Sequence, residues 1–167
     1  MPFSLLPTYR TKAITDLTPE LLQGKGIRLL MLDFDNTIVP YTTNTPTEEM
    51  ENWLRQMVAS PVQICVVSNS RNDRVKLFCE KYGIGCITRA KKPGTKGILE
   101  CVQTYAVPKE NCALAGDQIY TDTLGGNCAG VRTILVKAIH NHNIWLKLRH
   151  VAEMPFILLA KNRRLTK

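Results

Sequence analysis

The feature that most restricts this chain is an alternation of short apolar, β-rich runs with segments whose apolar residues recur at helical spacing. The runs Ile27–Leu32, Val62–Val67, Ile84–Thr88, Cys112–Gly116 and Val131–Val136 have the length and composition of buried strands. Between the first two, Met50, Trp53, Leu54 and Met57 share one helical face. Ahead of them, Thr45-Pro46-Thr47-Glu48 has a capping-box pattern with proline at the first helical position. The same spacing recurs at Val75, Phe78, Cys79 and Tyr82, closed by Gly83, and at Ile98, Cys101, Val102 and Tyr105. The order is therefore βαβαβαβ. Such crossovers are right-handed and return over the sheet, so the strands must run parallel with helices on both faces.

The expected fold is α/β: a Rossmann-like, doubly wound parallel sheet in three α/β/α layers. With 167 residues the chain has the length of one domain, enough to bury a core without disulfides, and a single domain over residues 1–167 is expected. Six cysteines include no C-x-x-C pair, and Cys65, Cys86 and Cys112 fall inside strand-like runs, which suits buried thiols. The first apolar stretch is interrupted by Pro2, Pro7 and Arg10, so no signal peptide is read, and no run reaches the length of a membrane-spanning helix. A reducing cytoplasm is the expected location. A net charge of +8 favours anionic partners: phosphorylated ligands, nucleic acid or acidic lipid headgroups.

Ligands of open parallel sheets bind beyond the carboxyl ends of the strands. There the first strand runs into Asp33-Phe34-Asp35-Asn36-Thr37 and the second into Ser68-Asn69. The third precedes Lys91-Lys92-Pro93, and the fourth ends in Gly116-Asp117, followed by Asp122. A lone D-x-D can merely cap a helix or make a turn. Four polar clusters in one register point to chemistry instead.

On these residues the chain resembles the haloacid dehalogenase superfamily, whose four motifs match Asp33-x-Asp35-x-Thr37, Ser68, Lys92, and Asp117 with Asp122. It resembles more narrowly the YqeG family of small phosphatases, through Leu5-Leu6-Pro7, Leu32 to Thr37, Ser68-Asn69-Ser70, Lys92-Pro93 and Gly116-Asp117-Gln118-x-x-Thr121-Asp122. The resemblance implies that Ser68, with neighbouring backbone N–H groups, binds phosphate and that the motif lysine neutralises it. Lys92 fits that role over Lys91 because the family's lysine directly precedes proline. Asn69 either joins the phosphate site or caps the next helix.

Phosphoryl transfer needs charge neutralised around the phosphorus and the attacking and leaving atoms held in line. Asp33 is the expected nucleophile, forming an aspartyl-phosphate, and Asp35 the general acid/base, which requires a pKa raised towards neutrality. Mg²⁺ is the expected cofactor, held by Asp33, the backbone carbonyl of Asp35 and Asp117, with Asp122 behind them. Thr37 is expected to set the turn after the nucleophile, and Asn127 to lie in a turn. His140, His142 and His150 lack carboxylate or cysteine companions and are assigned nothing.

The stretches from Thr37 to Ser68 and from Ser68 to Lys92 each hold one helix and one strand, which leaves no room for a cap domain. An open site suits a substrate large enough to complete the enclosure itself. From 141 to 167, six basic residues stand against the acidic Glu153, interleaved with Ile144, Trp145, Leu148, Val151 and the run Phe156–Leu159. That mix either lies on an anionic bilayer at the inner membrane face or packs on the domain. The family is similar to phosphatidylglycerophosphate phosphatases, which makes that lipid one candidate substrate. A soluble phosphate ester or a phosphoprotein is another. Nucleic-acid binding with secondary or lost phosphatase activity is the third reading, and it lacks an aromatic stacking platform.

Overall fold

The computed structural model describes residues 4–43, 45–71, 73–139, 154–160 and 162–165. Each of the five apolar runs contains a strand: β2 (Leu29–Leu32), β3 (Gln63–Val67), β4 (Gly85–Ile87), β5 (Cys112–Gly116) and β6 (Arg132–Leu135). A further strand, β1 (Tyr9–Arg10), adds to the edge beside β6. All pair in parallel, in the order β1-β6-β5-β2-β3-β4. The chain steps outward from β2 through β3 to β4, then returns to β5 on the other side of β2. That reversal opens a crevice at the carboxyl end of β2.

The helices are α1 (Pro19–Gly24), α2 (Glu48–Val58), α3 (Arg74–Tyr82), α4 (Lys96–Tyr105) and α5 (Leu124–Ala129). Strand side chains alternate between the two faces, so each run of apolar residues feeds two cores. Leu30, Leu32, Ile64, Val66, Ala113 and Ala115 pack against Leu22, Trp53, Leu54, Val75 and Phe78 of α1, α2 and α3. Leu29, Met31, Cys65, Val67, Cys112 and Leu114 face Ile98, Cys101, Val102 and Ala129 of α4 and α5. The three layers follow from that alternation.

Local signals set the helix ends. Gly83 closes α3 in the left-handed conformation, with φ 65°. The cap of α2 lies two residues later than the sequence pattern places it. Thr47, not Thr45, accepts the Met50 N–H on its hydroxyl at 3.2 Å, so Pro46 precedes the cap. Asn127 stands within α5 rather than in a turn. Its Nδ2 donates to the carbonyls of Ser4 at 2.7 Å and Leu6 at 3.0 Å and clips the N-terminal segment to the domain.

The described part of the C-terminal segment packs on the β1 edge. Arg10 N–H donates to Arg163 O at 2.9 Å, Leu165 N–H donates to Arg10 O at 2.9 Å, and Ala160 is buried. Residues 154–159 are helical, and Phe156 meets the ring of Tyr120 edge-on at 6.4 Å. Ile144, Trp145, Leu148, Val151 and the three histidines lie outside the described residues. No described helix is long and apolar enough to cross a membrane.

Candidate active site

The carboxyl edge of the sheet gathers the polar clusters. Asp33 directly follows β2, and its N–H donates to Ala115 O of β5 at 2.8 Å, which fixes it above the crevice. The chain then turns sharply: Asn36 takes a left-handed conformation, φ 61°, tolerable for asparagine, and its N–H bonds Val39 O at 2.7 Å. This turn buries Phe34 on one side and leaves Asp35 half-buried at the rim. Thr37, buried in the same turn, belongs to the loop's interior.

Lys92 reaches into the crevice and is buried. Its Nζ donates to Asp33 Oδ1 at 2.7 Å and Asp122 Oδ1 at 2.6 Å. Lys91 is exposed, with its backbone left-handed at φ 56°. The other oxygen of Asp122 accepts the Gln118 N–H at 3.1 Å. A side chain at position 116 would collide with that carboxylate, lying 2.7 Å from Asp122 Cβ, so glycine is the residue that fits there.

Ser68 directly follows β3 and is almost fully buried. Its hydroxyl accepts the Ser70 N–H at 3.0 Å, so that amide is already engaged. Asn69 uses its side chain on Lys92: Oδ1 accepts the Lys92 N–H at 2.7 Å and Nδ2 donates to the Lys92 carbonyl at 2.9 Å. The asparagine therefore holds the lysine's backbone, a use different from either capping or phosphate contact. Arg74, which no motif singles out, donates to Asp35 Oδ1 and to Tyr41 O, the latter at 3.2 Å. It begins α3 in a polar stretch that reads as solvated surface. Only its place at the carboxyl edge marks it.

Burial pushes the Asp33 carboxyl up to about 7. Lys92 opposes that rise, and Asp122 and Asp35 add to it. Asp35 is also raised by burial, against the pull of Arg74 and Lys92. Burial alone would lower Lys92, but Asp122 and Asp33 outweigh it and keep it charged. Asp33, Asp117 and Asp122 each offer an oxygen, all within 4.8 Å of one another. Asp33 Oδ2 is buried with no hydrogen-bond partner among the described residues. Three buried carboxylates against one buried lysine leave excess negative charge, and an all-oxygen donor set fits a hard divalent cation.

A parallel sheet with a D-x-D loop, a serine, a buried lysine and an acidic pair on one edge defines a hydrolase of the haloacid dehalogenase class. The chain matches the HAD-hydrolase-like family over residues 89–143. It is 38% identical over 131 residues, 78% of this chain and 76% of the relative, to Probable phosphatase YqeG of Bacillus subtilis. It therefore belongs to the YqeG family of that superfamily and is a phosphatase, a phosphoric monoester hydrolase.

Two solved structures share the fold. One is the 3-deoxy-D-manno-octulosonate 8-phosphate phosphatase of Yersinia pestis, 17% identical, with 87% of this chain and 88% of that chain covered and a TM-score of 0.55. The other is the cobalt-bound deoxy-D-mannose-octulosonate 8-phosphate phosphatase of Haemophilus influenzae, 14% identical, with 77% of each chain covered and a TM-score of 0.55. Among the described residues, α2 and β3 fill the stretch from Thr37 to Ser68 and α3 and β4 the stretch to Lys92, with no inserted domain.

Proposed function

We propose that the chain is a Mg²⁺-dependent phosphatase that works through an aspartyl-phosphate on Asp33. The observation that carries this reading is the Asp33 carboxylate itself: one oxygen is held by Lys92, and the other is buried without a hydrogen-bond partner among the described residues. An ionised carboxylate in that position is oriented for attack.

In the first step an Asp33 oxygen bonds to phosphorus while the ester P–O bond breaks, and Asp35 gives a proton to the leaving oxygen. In the second, Asp35 takes a proton from water as that water bonds to phosphorus and the Asp33–phosphorus bond breaks. Lys92, paired with Asp33 and Asp122, stays cationic beside both anions throughout. Ser68, and the backbone around it, faces the phosphoryl oxygens, with Asn69 keeping Lys92 in register. Asp33, Asp117 and the Asp35 carbonyl would hold the cation, with Asp122 behind. When bound it neutralises phosphate charge. The solved cobalt-bound form of the Haemophilus phosphatase, which shares this fold, supports a divalent ion by analogy.

The finer reading is a lipid phosphate, phosphatidylglycerophosphate, met at the inner face of a membrane. Met154, Leu158 and Leu159 support it. They are 46%, 63% and 69% exposed on the helix whose Phe156 packs against Tyr120, two residues from Asp122. The test is phosphate release from phosphatidylglycerophosphate in mixed micelles beside a panel of soluble esters, with and without Mg²⁺. Asp33→Asn should be inactive, and wild type should yield a hydroxylamine-labile phosphoprotein. A preference for soluble esters would discard the lipid reading, and hydrolysis by Asp33→Asn would discard the nucleophile.

A further inference from the structure

Of the acidic residues in the site, Asp35 is the least buried. Asp33 and Asp117 are buried at strand ends and Asp122 in the helical turn Ile119–Thr123 after β5, whereas Asp35 projects at the rim from a turn made by left-handed Asn36. A side-chain partner comes to it from another element. Arg74, the first residue of α3, reaches back across the crevice mouth, and its guanidinium carbon lies 5.1 Å from the centroid of the Phe34 ring. One terminal nitrogen donates to Asp35 Oδ1 and the other to Tyr41 O. The two acceptors lie six residues apart on the same loop, so a planar fork closes the loop at two points. The pair is largely withdrawn from water, with Arg74 and Asp35 side chains 16% and 14% exposed. A single ammonium could not span both acceptors while staying over the ring.

We infer that Arg74 is a positioning residue: by bridging Asp35, Phe34 and the Tyr41 carbonyl it fixes the Asp35 carboxyl where it delivers a proton to the leaving oxygen. The inference rests on Asp35 being the general acid, and it assigns Arg74 no contact with substrate. It is more than a structural ion pair because its acceptor is the one side chain that must meet the leaving group at a set distance. The bond it governs is the one between phosphorus and the leaving oxygen. That bond breaks as the Asp33–phosphorus bond forms, and the proton passes from Asp35 to the departing oxygen. Misplacing Asp35 therefore penalises esters whose leaving oxygen needs a proton. It spares those that depart as stable anions.

The test compares kcat/KM for an alkyl phosphate and for p-nitrophenyl phosphate, whose phenolate leaves unprotonated. Arg74→Ala should lower the alkyl value roughly 100-fold and the p-nitrophenyl value by less than about 5-fold, the span that general acid catalysis supplies. Arg74→Lys should recover only part of the alkyl loss, and added guanidinium ion should restore more of it to Arg74→Ala. Asp35→Asn/Arg74→Ala should be no slower on the alkyl ester than Asp35→Asn alone. Equal losses on the two esters, or losses that multiply in the double variant, would reduce Arg74 to a structural role and overturn the inference. If Asp35→Asn itself treats the two esters alike, it is the reading of Asp35 that fails, and the inference falls with it.

Discussion

Asn69 grips Lys92 by both backbone polar groups, accepting its N–H at 2.7 Å and donating to its carbonyl at 2.9 Å. The two residues belong to different motifs, so this pair ties the loop after β3 to the loop after β4. Its effect is to set where the lysine side chain enters the crevice. Asn69→Ala should cost about 2 kcal/mol, the worth of two ordinary hydrogen bonds. Activity should fall further than that loss explains, because Lys92 is no longer aimed at Asp33. Urea denaturation beside steady-state kinetics checks this. Full activity with reduced stability would show that the grip is only structural.

Lys92 sits between Asp33 and Asp122 with all three buried. Removing one partner of a buried ion pair leaves the others uncompensated, at about 3–5 kcal/mol. Lys92→Met, which keeps the length and loses the charge, should unfold at a lower temperature and be inactive. Added Mg²⁺ should stabilise this variant more than wild type, since a cation then offsets carboxylates that no lysine screens. Thermal melts with and without the ion make the comparison. A variant indifferent to Mg²⁺ would argue against a cation site at these carboxylates.

The raised carboxyl of Asp33 makes the metal-free fold sensitive to pH in a definite direction. Its pKa rises from 3.8 to about 7, so between those values the folded chain holds a proton that the unfolded chain has released. Stability should therefore fall as pH rises through that window, by up to about 1.4 kcal/mol per unit. Chelated wild type is expected to resist urea better at pH 5 than at pH 7.5. Asp33→Asn should narrow the difference, and Mg²⁺, which favours the ionised form, should narrow it too. A difference unchanged in Asp33→Asn would place its origin at other groups.

How far the sequence carried is visible element by element. The buried strands were legible because parallel strands covered on both faces read as unbroken apolar runs, and Leu29–Leu32 is buried throughout. The edge strand Tyr9–Arg10 was not, because two residues have no period and its pairing depends on β6 being there. Helix α5 was missed because Gly125 and Gly126 read as a turn. Gly126 instead packs close to Thr133, where a side chain would not fit. The clusters that hold Asp33, Asp35, Ser68, Lys92, Asp117 and Asp122 could be placed on one edge because a parallel sheet sends every strand's carboxyl end there, whereas preferring Lys92 to Lys91 rested on the family resemblance. Arg74 and the role of Asn69 could not, because both depend on which side chains meet across loops.

The C-terminal segment posed a choice between packing and a membrane surface, and its described part packs on the β1 edge while three of its apolar side chains stay exposed. Arg10 is bonded through both backbone groups to Arg163 and Leu165, and Arg163 Nη1 donates to Pro7 O at 2.8 Å. Deleting residues 154–167 would strip these partners from β1 and leave an open strand edge. The truncated chain should lose on the order of 3 kcal/mol from the broken hydrogen bonds alone and self-associate at high concentration. Met154, Leu158 and Leu159 point to solvent, so changing all three to serine should leave stability within about 0.5 kcal/mol per site. If the substrate is presented on a lipid surface, that triple variant should act more slowly on micellar lipid phosphate while its rate on a soluble ester is unchanged. Equal rates on both would leave these side chains no part in substrate choice, and the segment would then serve the sheet edge alone.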